Sequence, residues 1–447
     1  MAWWKKQRTV EQTGSVHFRG TIPPRLENFA SLAHQGIRIE PRPCGDDAHW
    51  QAELTHSAWG KAELGCLRHS PPPPRLLLQY DPRLTEAEKR LAALAGSAVR
   101  LKVEARTGNV LSDRKDLLRY LGAVMADDGV VAVDHDSQAF WARAGLDDEL
   151  AHDAELDIDA VYSLHLVGGS AAEDEAEPAP AYWLHSHGLR ELGFWDFDVL
   201  APSPDLGASR HDLNRAIAFA VVERRLELGG RPLGLATGVT VQAVAARDCL
   251  ARLPADAHRK YRDSVDDWHL DGHGILCEPA QAGWFQRLVR GARPQPSEAL
   301  QHDFGDAGLV FYSNSATDLM ARRARQTLPL LRELSVELAD LDLPVLVKLG
   351  YPTDTGGPSD REHLWFKVHG FRGDEVDATL TNAPLDVADL AQGQRGTSPL
   401  ELLSDWTILT PVGTINPRQT RALRLLRANR AQIARELAAH RAAAPRS

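Results

Sequence analysis

A chain of 447 residues with 43% hydrophobic and 25% charged residues is long enough for two or three globular domains of about 150 residues each. No apolar run approaches the roughly 20 residues of a membrane span, and Met1 is not followed by the apolar core of a secretion signal, which together predict a cytoplasmic protein with no membrane partner. The net charge of −10 disfavours nucleic acid as a partner, although residues 417–447 carry eight arginines and a single acidic residue, Glu436.

Residues 1–74 are predicted to form an N-terminal α/β segment, whose arrangement the sequence leaves open. Strand-like patterns occur at residues 37–40 and 50–54 without a strong helix. The segment ends at four consecutive prolines, residues 71–74, which favour extended polyproline geometry. We therefore expect a connection at this point.

Residues 75–342 show interleaved strand and helix patterns, which predict a central α+β domain. The predicted strands are residues 76–80, 99–105, 129–133, 160–167 and 182–187, and the predicted helices are residues 85–94, 113–125, 209–228 and 315–341. Thr85 and Glu88 have the spacing of a helix-capping box. No Gly-x-Gly-x-x-Gly turn accompanies the strands, so a mainly antiparallel sheet with packed helices is favoured over a nucleotide-binding parallel sheet. The acidic residues 168–180 are expected to form the loop of a hairpin.

The pattern changes to short strands after Pro344, which predicts a small, mainly β domain in residues 343–447. Its predicted strands are residues 345–349, 363–368, 375–381 and 406–409. Asn416 and Pro417 favour the start of a final helix with one narrow apolar stripe. We expect this amphipathic helix to dock on the body of the protein through that stripe.

The segment from Tyr182 to Gly188 carries two histidines two residues apart. In a strand, His185 and His187 project from the same face. His165, on the adjacent predicted strand, completes a set of three metal ligands if it lies opposite His185, whereas a one-residue slip turns it to the other face. Asp196 or Asp198 is available as an oxygen ligand. This pattern predicts a divalent metal site under one hypothesis, and hydrogen-bonded packing histidines under the favoured one, for which no cofactor is predicted.

A second group of metal-ligating residue types occurs at His269, His273 and Cys277. Their four-residue spacing aligns on a helix, but Gly272 and Gly274 disfavour a helix there. The sequence therefore does not favour a metal site in this segment.

The C-terminal domain contains a group of polar and aromatic residues with two interpretations. Aromatic residues serve both in cores and in recognition surfaces, so the sequence leaves open whether this group packs the domain or binds a peptide or protein. The candidate binding residues are Glu362, His363, Trp365, Asp405 and Trp406.

Two parts of the chain resemble uncharacterised bacterial families. Residues 343–410 resemble domain of unknown function 2314 through Glu362-His363-Leu364-Trp365, Asn382-Ala383-Pro384, Gly393 and Asp405-Trp406, with Gln394 where that family carries an acidic residue. Residues 75–330 are similar to domain of unknown function 4026, whose Trp-Leu-His-Thr-His-Gly-Leu segment corresponds to Trp183 to Leu189, with Ser186 in place of threonine. Neither resemblance implies an activity.

The sequence lacks the usual signatures of hydrolases and nucleotide triphosphatases. It contains no Gly-x-Ser-x-Gly, no phosphate-binding Gly-x-x-x-x-Gly-Lys-Ser/Thr and no His-Glu-x-x-His. We therefore expect a cytoplasmic, non-enzymatic protein that recognises a protein partner. A metal-dependent hydrolase centred on His185 and His187 is the alternative.

Overall fold

A computed structural model describes the fold over most of the chain. The described residues are 10–69, 71–81, 83–105, 109–167, 182–202, 208–253, 267–279, 294–301, 310–357, 360–410, 413–418, 426 and 429–443. Within these ranges, no helix is both long enough and apolar enough to cross a membrane. The acidic loop predicted at residues 168–180 lies outside the described residues.

The chain divides into two compact units. The first comprises Met1–Leu146 and Ile158–Ser313, and the second comprises Asp147–Asp157 and Asn314–Ser447. Their sheets are rich in antiparallel pairs, and helices accompany them, so the predicted α+β class is confirmed. Whether residues 343–447 can be separated from the rest stays a prediction.

The first sheet of the first unit has seven strands in the order β2-β3-β4-β5-β1-β6-β7. These strands are β1 Glu11–Arg19, β2 Arg38–Arg42, β3 Ala48–His56, β4 Gly60–Leu67, β5 Ala95–Glu104, β6 Gly129–Asp134 and β7 Ala139–Trp141. β1 precedes the proline run but pairs with β5 and β6, which follow it. One sheet therefore joins both sides of that run.

Four helices lie along the chain between or after the strands of the first sheet, and the last of them runs across the boundary between the two units. They are α1 Arg75–Tyr80, α2 Glu86–Ala92, α3 Val110–Met125 and α4 Arg143–Leu150. The strand predicted at residues 76–80 is wrong, because these residues form α1, where Leu78 N donates to Pro74 O at 2.9 Å. Within α1 Leu78 is buried whereas Tyr80 is exposed, and a short apolar run does not by itself distinguish a strand from a helix.

The capping box predicted for α2 is confirmed. Thr85 N donates to Glu88 Oε2 at 2.7 Å, and Glu88 N donates to Thr85 Oγ1 at 3.2 Å. The two side chains thus satisfy backbone donors that have no partner inside the first turn. Because these reciprocal hydrogen bonds involve residues only three positions apart, the start of α2 can be predicted from the sequence.

The second sheet of the first unit has six strands in the order β11-β12-β13-β10-β9-β8. These are β8 Ser163–Val167, β9 Trp183–His187, β10 Asp196–Leu200, β11 Leu233–Ala236, β12 Val239–Ala245 and β13 His273–Cys277. The helices α5 Ala208–Val222, α6 Ala246–Leu250 and α7 Asp267–Leu270 lie between or beside these strands in sequence. β8 and β9 form the predicted hairpin, and β10 runs parallel to β13.

The second unit is built on a six-stranded antiparallel sheet in the order β17-β16-β15-β14-β18-β19. Its strands are β14 Val345–Pro352, β15 Arg361–Arg372, β16 Glu375–Leu380, β17 Arg395–Pro399, β18 Leu403–Thr410 and β19 Gly413–Ile415. The long helix α8 Asn314–Glu337 contributes Leu331 and Leu334 to the core of this unit.

The C-terminal helix is also part of the second unit. The described helix α9 is Arg430–Ala443, and its Ile433 is buried in the core of that unit while Leu437 packs at its edge. The predicted apolar stripe is therefore a packing face. Asn416 Oδ1 accepts a hydrogen bond from Arg418 N at 3.0 Å, but most of the helix start predicted at Pro417 lies outside the described residues.

Candidate metal centre

Three histidines share one face of the hairpin formed by β8 and β9. The antiparallel register places His165 directly opposite His185 and Ser163 opposite His187. Directly opposed residues project from the same face of a sheet, and His187 shares that face because it lies two residues beyond His185. The observed register is the one that the metal hypothesis requires.

The ligand nitrogens of His165, His185 and His187 converge, and we call these residues the three-histidine set. One ligand nitrogen from each lies within 4.8 Å of the other two. Their ring centroids are 4.6 to 5.4 Å apart, and their ring planes cross at 56 to 66°. An imidazole binds a metal ion close to the plane of its ring, and crossed planes allow three rings to meet at one ion.

Two further histidines lie against the three-histidine set. The ring centroid of His269 is 5.3 Å from that of His185, and the centroid of His273 is 6.0 Å from that of His187. His269 and His273 are themselves 5.2 Å apart between ring centroids. We call the five residues together the histidine cluster.

Sequence reasoning missed that His269 and His273 join this cluster. They are not aligned on one helix, as the neighbouring glycines indicated, because Gly272 turns the chain at a φ of +91° between α7 and β13. The parallel pairing of β10 with β13 then brings His273 beside Asp196. A parallel pair between distant segments leaves no local signal in the sequence. Cys277 lies instead beside Cys249, with the two Sγ atoms 3.9 Å apart.

The turn that follows β9 is held by Asp196. Its carboxylate accepts hydrogen bonds from the backbone N–H groups of Leu189 and Arg190, each at 3.2 Å. Burial raises the pKa of Asp196 to about 6. Gly188 has a φ of +122°, and a Cβ there would lie 2.6 Å from Val161 O, so this position needs glycine. Asp196 thus supports the turn that ends the histidine strand.

Asp198 is the carboxylate that contacts the cluster. It lies opposite His185 in the pairing of β9 with β10, and its Oδ1 is 3.2 Å from His273 Nδ1. Burial lowers the pKa of His273, but the hydrogen bond and the carboxylate charge of Asp198 outweigh burial, and the net shift is upward. The two aspartates predicted as possible ligands therefore differ in their contacts.

The three-histidine set is held in the neutral form. Burial, and then the neighbouring histidines, lower the pKa of His185 to about 2 and that of His187 to about 3. Burial also lowers the pKa of His165. Neutral imidazole is the form that binds metals. The Nδ1 atom of His185 is buried and has no hydrogen-bond partner among the described residues, which is an unusual state for a buried polar atom.

The candidate binding residues at the start of β15 have local partners in the second unit. Glu362 accepts hydrogen bonds from Leu385 N at 2.7 Å and Asp386 N at 2.8 Å, and so holds the loop after β16. Trp365 N donates to an oxygen of the same loop, Asn382 Oδ1, at 2.9 Å. The Lys348 ammonium lies 5.4 Å from the centroid of the Trp365 ring. The structure thus brings Glu362 and Trp365 to one loop.

The remaining candidates lie where β15 and β18 flank β14. Ser404 Oγ donates to the backbone oxygen of Lys348 at 3.1 Å, so the same hydroxyl accepts from His363 Nδ1 at 2.7 Å. Asp405 accepts from the next backbone N–H, that of Trp406. Trp406 is fully buried, and its Nε1 donates to Thr327 Oγ1 at 3.0 Å. Of the two interpretations, the core role therefore describes the position of Trp406.

Comparison with known proteins gives one result for the second unit. Residues 320–425 match the family described as "Uncharacterized protein conserved in bacteria (DUF2314)". The matched range contains the residues whose motifs resemble domain of unknown function 2314, so that resemblance is confirmed for the C-terminal region. No curated protein and no solved structure shows significant similarity to the chain.

Proposed function

We propose that the protein is a metal-dependent hydrolase whose metal ion is bound by His165, His185 and His187. The observation that carries the proposal is the convergence of three neutral imidazoles, whose ligand nitrogens lie within 4.8 Å of one another. The metal-dependent hydrolase is the alternative hypothesis of the sequence analysis. It gains weight because the register of β8 and β9 aligns all three residues on one face.

The residues fit a transition metal better than they fit a packing role. Packing histidines are usually held by hydrogen bonds, yet the buried Nδ1 of His185 has none within the described residues. Three nitrogen ligands match catalytic zinc sites, in which three protein ligands leave a fourth position for water or substrate. A metal bound in this way lowers the pKa of its water to about 7 and supplies a nucleophile at neutral pH.

The residues around the three-histidine set shield part of it from solvent and leave part of it accessible. Trp183 packs edge-on against His185 with ring centroids 4.2 Å apart, and both residues are buried. His165 lies on β8, the outermost strand of the second sheet, and is only partly buried. Bulk solvent is therefore excluded from His185 and retained near His165. An active site needs both properties, since exclusion of water strengthens electrostatic interactions and the substrate must still enter.

Metal analysis of the purified protein tests the binding step. We expect at least one equivalent of zinc, or of another divalent transition metal added after chelation, in the wild-type protein, with one ion bound by the three-histidine set. The double variant H185N/H187N should lose it while retaining its far-ultraviolet circular dichroism. H211N is the matched control, since His211 is a partly exposed histidine of the same unit paired with Asp159. Wild-type protein that takes up no stoichiometric metal would refute the proposal.

Hydrolysis is tested separately with the metal-loaded and chelated forms. Carboxylic esters, phosphate esters and amides represent the bond classes that metal-activated water cleaves. Turnover that depends on the metal and disappears in H185N/H187N supports the enzyme. A loaded protein that cleaves none of these bonds would leave a metal-binding protein without the proposed activity.

Partner recognition by the second unit remains a separate proposal. Leu385 is 86% exposed, and Glu362 holds the loop that carries it through two hydrogen bonds. An exposed apolar side chain on an anchored loop suits a protein partner in the cytoplasm. Cross-linking of a photoreactive residue placed at the neighbouring Ala383 tests this, and the same cross-link surviving when L385D is added would count against it. The similarity of residues 75–330 to domain of unknown function 4026 is likewise kept as a proposal.

A further inference from the structure

One metal ion does not account for all five rings of the histidine cluster. His269 stacks on His185 with ring centroids 5.3 Å apart and ring planes only 7° from parallel. Among the described residues, the ligand atoms that converge within 4.8 Å of one another belong to His165, His185 and His187, and His269 is not in that group. His185 belongs to the three-histidine set. His269 is therefore excluded from that ion in the observed arrangement.

His269 and His273 together have the geometry of a second ligand pair. Their ring centroids are 5.2 Å apart and their planes cross at 53°. These values fall close to those of the three-histidine set, whose centroids are 4.6 to 5.4 Å apart with planes crossing at 56 to 66°. Both residues come from α7 and β13, a segment separate from the hairpin that carries the first set.

Asp198 orients one ring of this pair. Its Oδ1 is 3.2 Å from His273 Nδ1, and both side chains are fully buried. A carboxylate that accepts from Nδ1–H leaves Nε2 to bind a metal, and this pairing commonly stands behind metal-binding histidines. Asp198 is thus a positioning residue, and it gives the pair a supporting contact of the kind that metal centres use.

We propose that His269 and His273 bind a second divalent transition-metal ion beside the three-histidine set. The inference rests on the proposed function, because it places the second ion next to the first. Imidazole ligands select zinc, copper, iron or nickel over magnesium or calcium. Two neighbouring ions stabilise both the attacking and the leaving oxygen of one substrate, so the second ion extends the same hydrolytic chemistry.

Titration of the metal-free, full-length protein with Co²⁺ counts the ions. We expect two equivalents for the wild type and one for H269N/H273N, with H211N again as the control. One equivalent in both proteins, or two in both, overturns the second site and leaves the proposed function intact. No binding by the wild type overturns the proposed function as well. If H269N/H273N does not fold, H269N alone replaces it, since His269 is only partly buried.

Two spectroscopic measurements separate a metal ligand from a structural residue. Neighbouring Co²⁺ ions are exchange-coupled, so the electron paramagnetic resonance signal per cobalt should fall between the first and second equivalents. That fall should be absent in H269N/H273N. D198N should weaken binding of the second equivalent about 10- to 100-fold while the first is unchanged. A signal that grows in proportion to cobalt through both equivalents contradicts the proposal.

Discussion

His185 in the first unit is a buried strand histidine and His363 in the second is a half-buried one, and they differ in their partners. Burial lowers the pKa of His185 to about 2 and that of His363 to about 4. His363 Nδ1 donates to Ser404 Oγ at 2.7 Å, whereas His185 Nδ1 has no hydrogen-bond partner within the described residues, and the His185 ring lies beside the ring of His187. The comparison shows that burial alone does not identify a functional histidine. The hydrogen-bond partner decides whether local packing explains it.

The largest expected difference between the two regions is the response to metal. A ligand that binds only the native state at 1,000 times its Kd adds about 4 kcal/mol to the free energy of unfolding. We expect such a gain with zinc for the wild type and for H363N, and a much smaller one for H185N/H187N. Chemical denaturation with and without zinc measures it. Equal gains in all three proteins would remove the contrast between His185 and His363.

Truncation of Trp406 tests whether the aromatic residues of the second unit are core residues. Trp406→Ala should lower the free energy of unfolding by about 3–5 kcal/mol, because a fully buried ring is lost together with its hydrogen bond to Thr327 Oγ1. Trp406→Phe should cost less, since most of the packing is kept. Metal content should be unchanged in both variants. A stable W406A protein that loses a bound partner would favour recognition over packing.

The pH dependence of stability tests the effect of burial on His363, the second histidine of the comparison. Its pKa is about 4 in the folded protein against 6.5 as the ordinary value, because burial and then Lys348 and Arg361 disfavour the charged form. The unfolded chain therefore binds the proton first. His363 should lower stability as the pH falls from 6.5 to 4, with no further change below 4.

Urea denaturation of wild type and H363N across this range isolates the contribution. The difference between their free energies of unfolding should vary between pH 6.5 and 4 and be constant above pH 7. H369N is the control, because His369 is an exposed histidine on the same strand, with its Nε2 2.8 Å from Thr379 Oγ1. If the difference between the free energies of unfolding of wild type and H363N did not change between pH 6.5 and 4, burial would not be lowering the pKa of His363.

The smallest expected effect concerns the domain prediction, which limited proteolysis tests. Cleavage between residues 338 and 362 should release a fragment of about residues 343–447 that keeps its β-sheet spectrum. Cleavage restricted to residues 168–180 and the chain ends would indicate that the C-terminal strands are not separable from the residues before them.

Local chemistry made part of this protein readable from its sequence. The capping box of Thr85 and Glu88, the β8–β9 hairpin and the C-terminal strands depend on residues close together in the chain, and each was predicted. The strand predicted at residues 76–80 is wrong because a short, largely apolar segment fits either a strand or a short helix. For Trp406 the sequence left open whether the side chain packs in the core or binds a partner, and the structure places it in the core.

The sequence by itself determined the α+β class, the shared face of His185 and His187, and the similarity of the C-terminal region to domain of unknown function 2314. Only the tertiary structure decided the rest of the histidine cluster. The strand register placed His165 opposite His185, and the parallel pairing of β10 with β13 brought in His273. A slip of one residue between β8 and β9 would turn His165 to the other face, and β10 and β13 lie far apart in sequence, so neither the register nor the parallel pairing follows from local sequence.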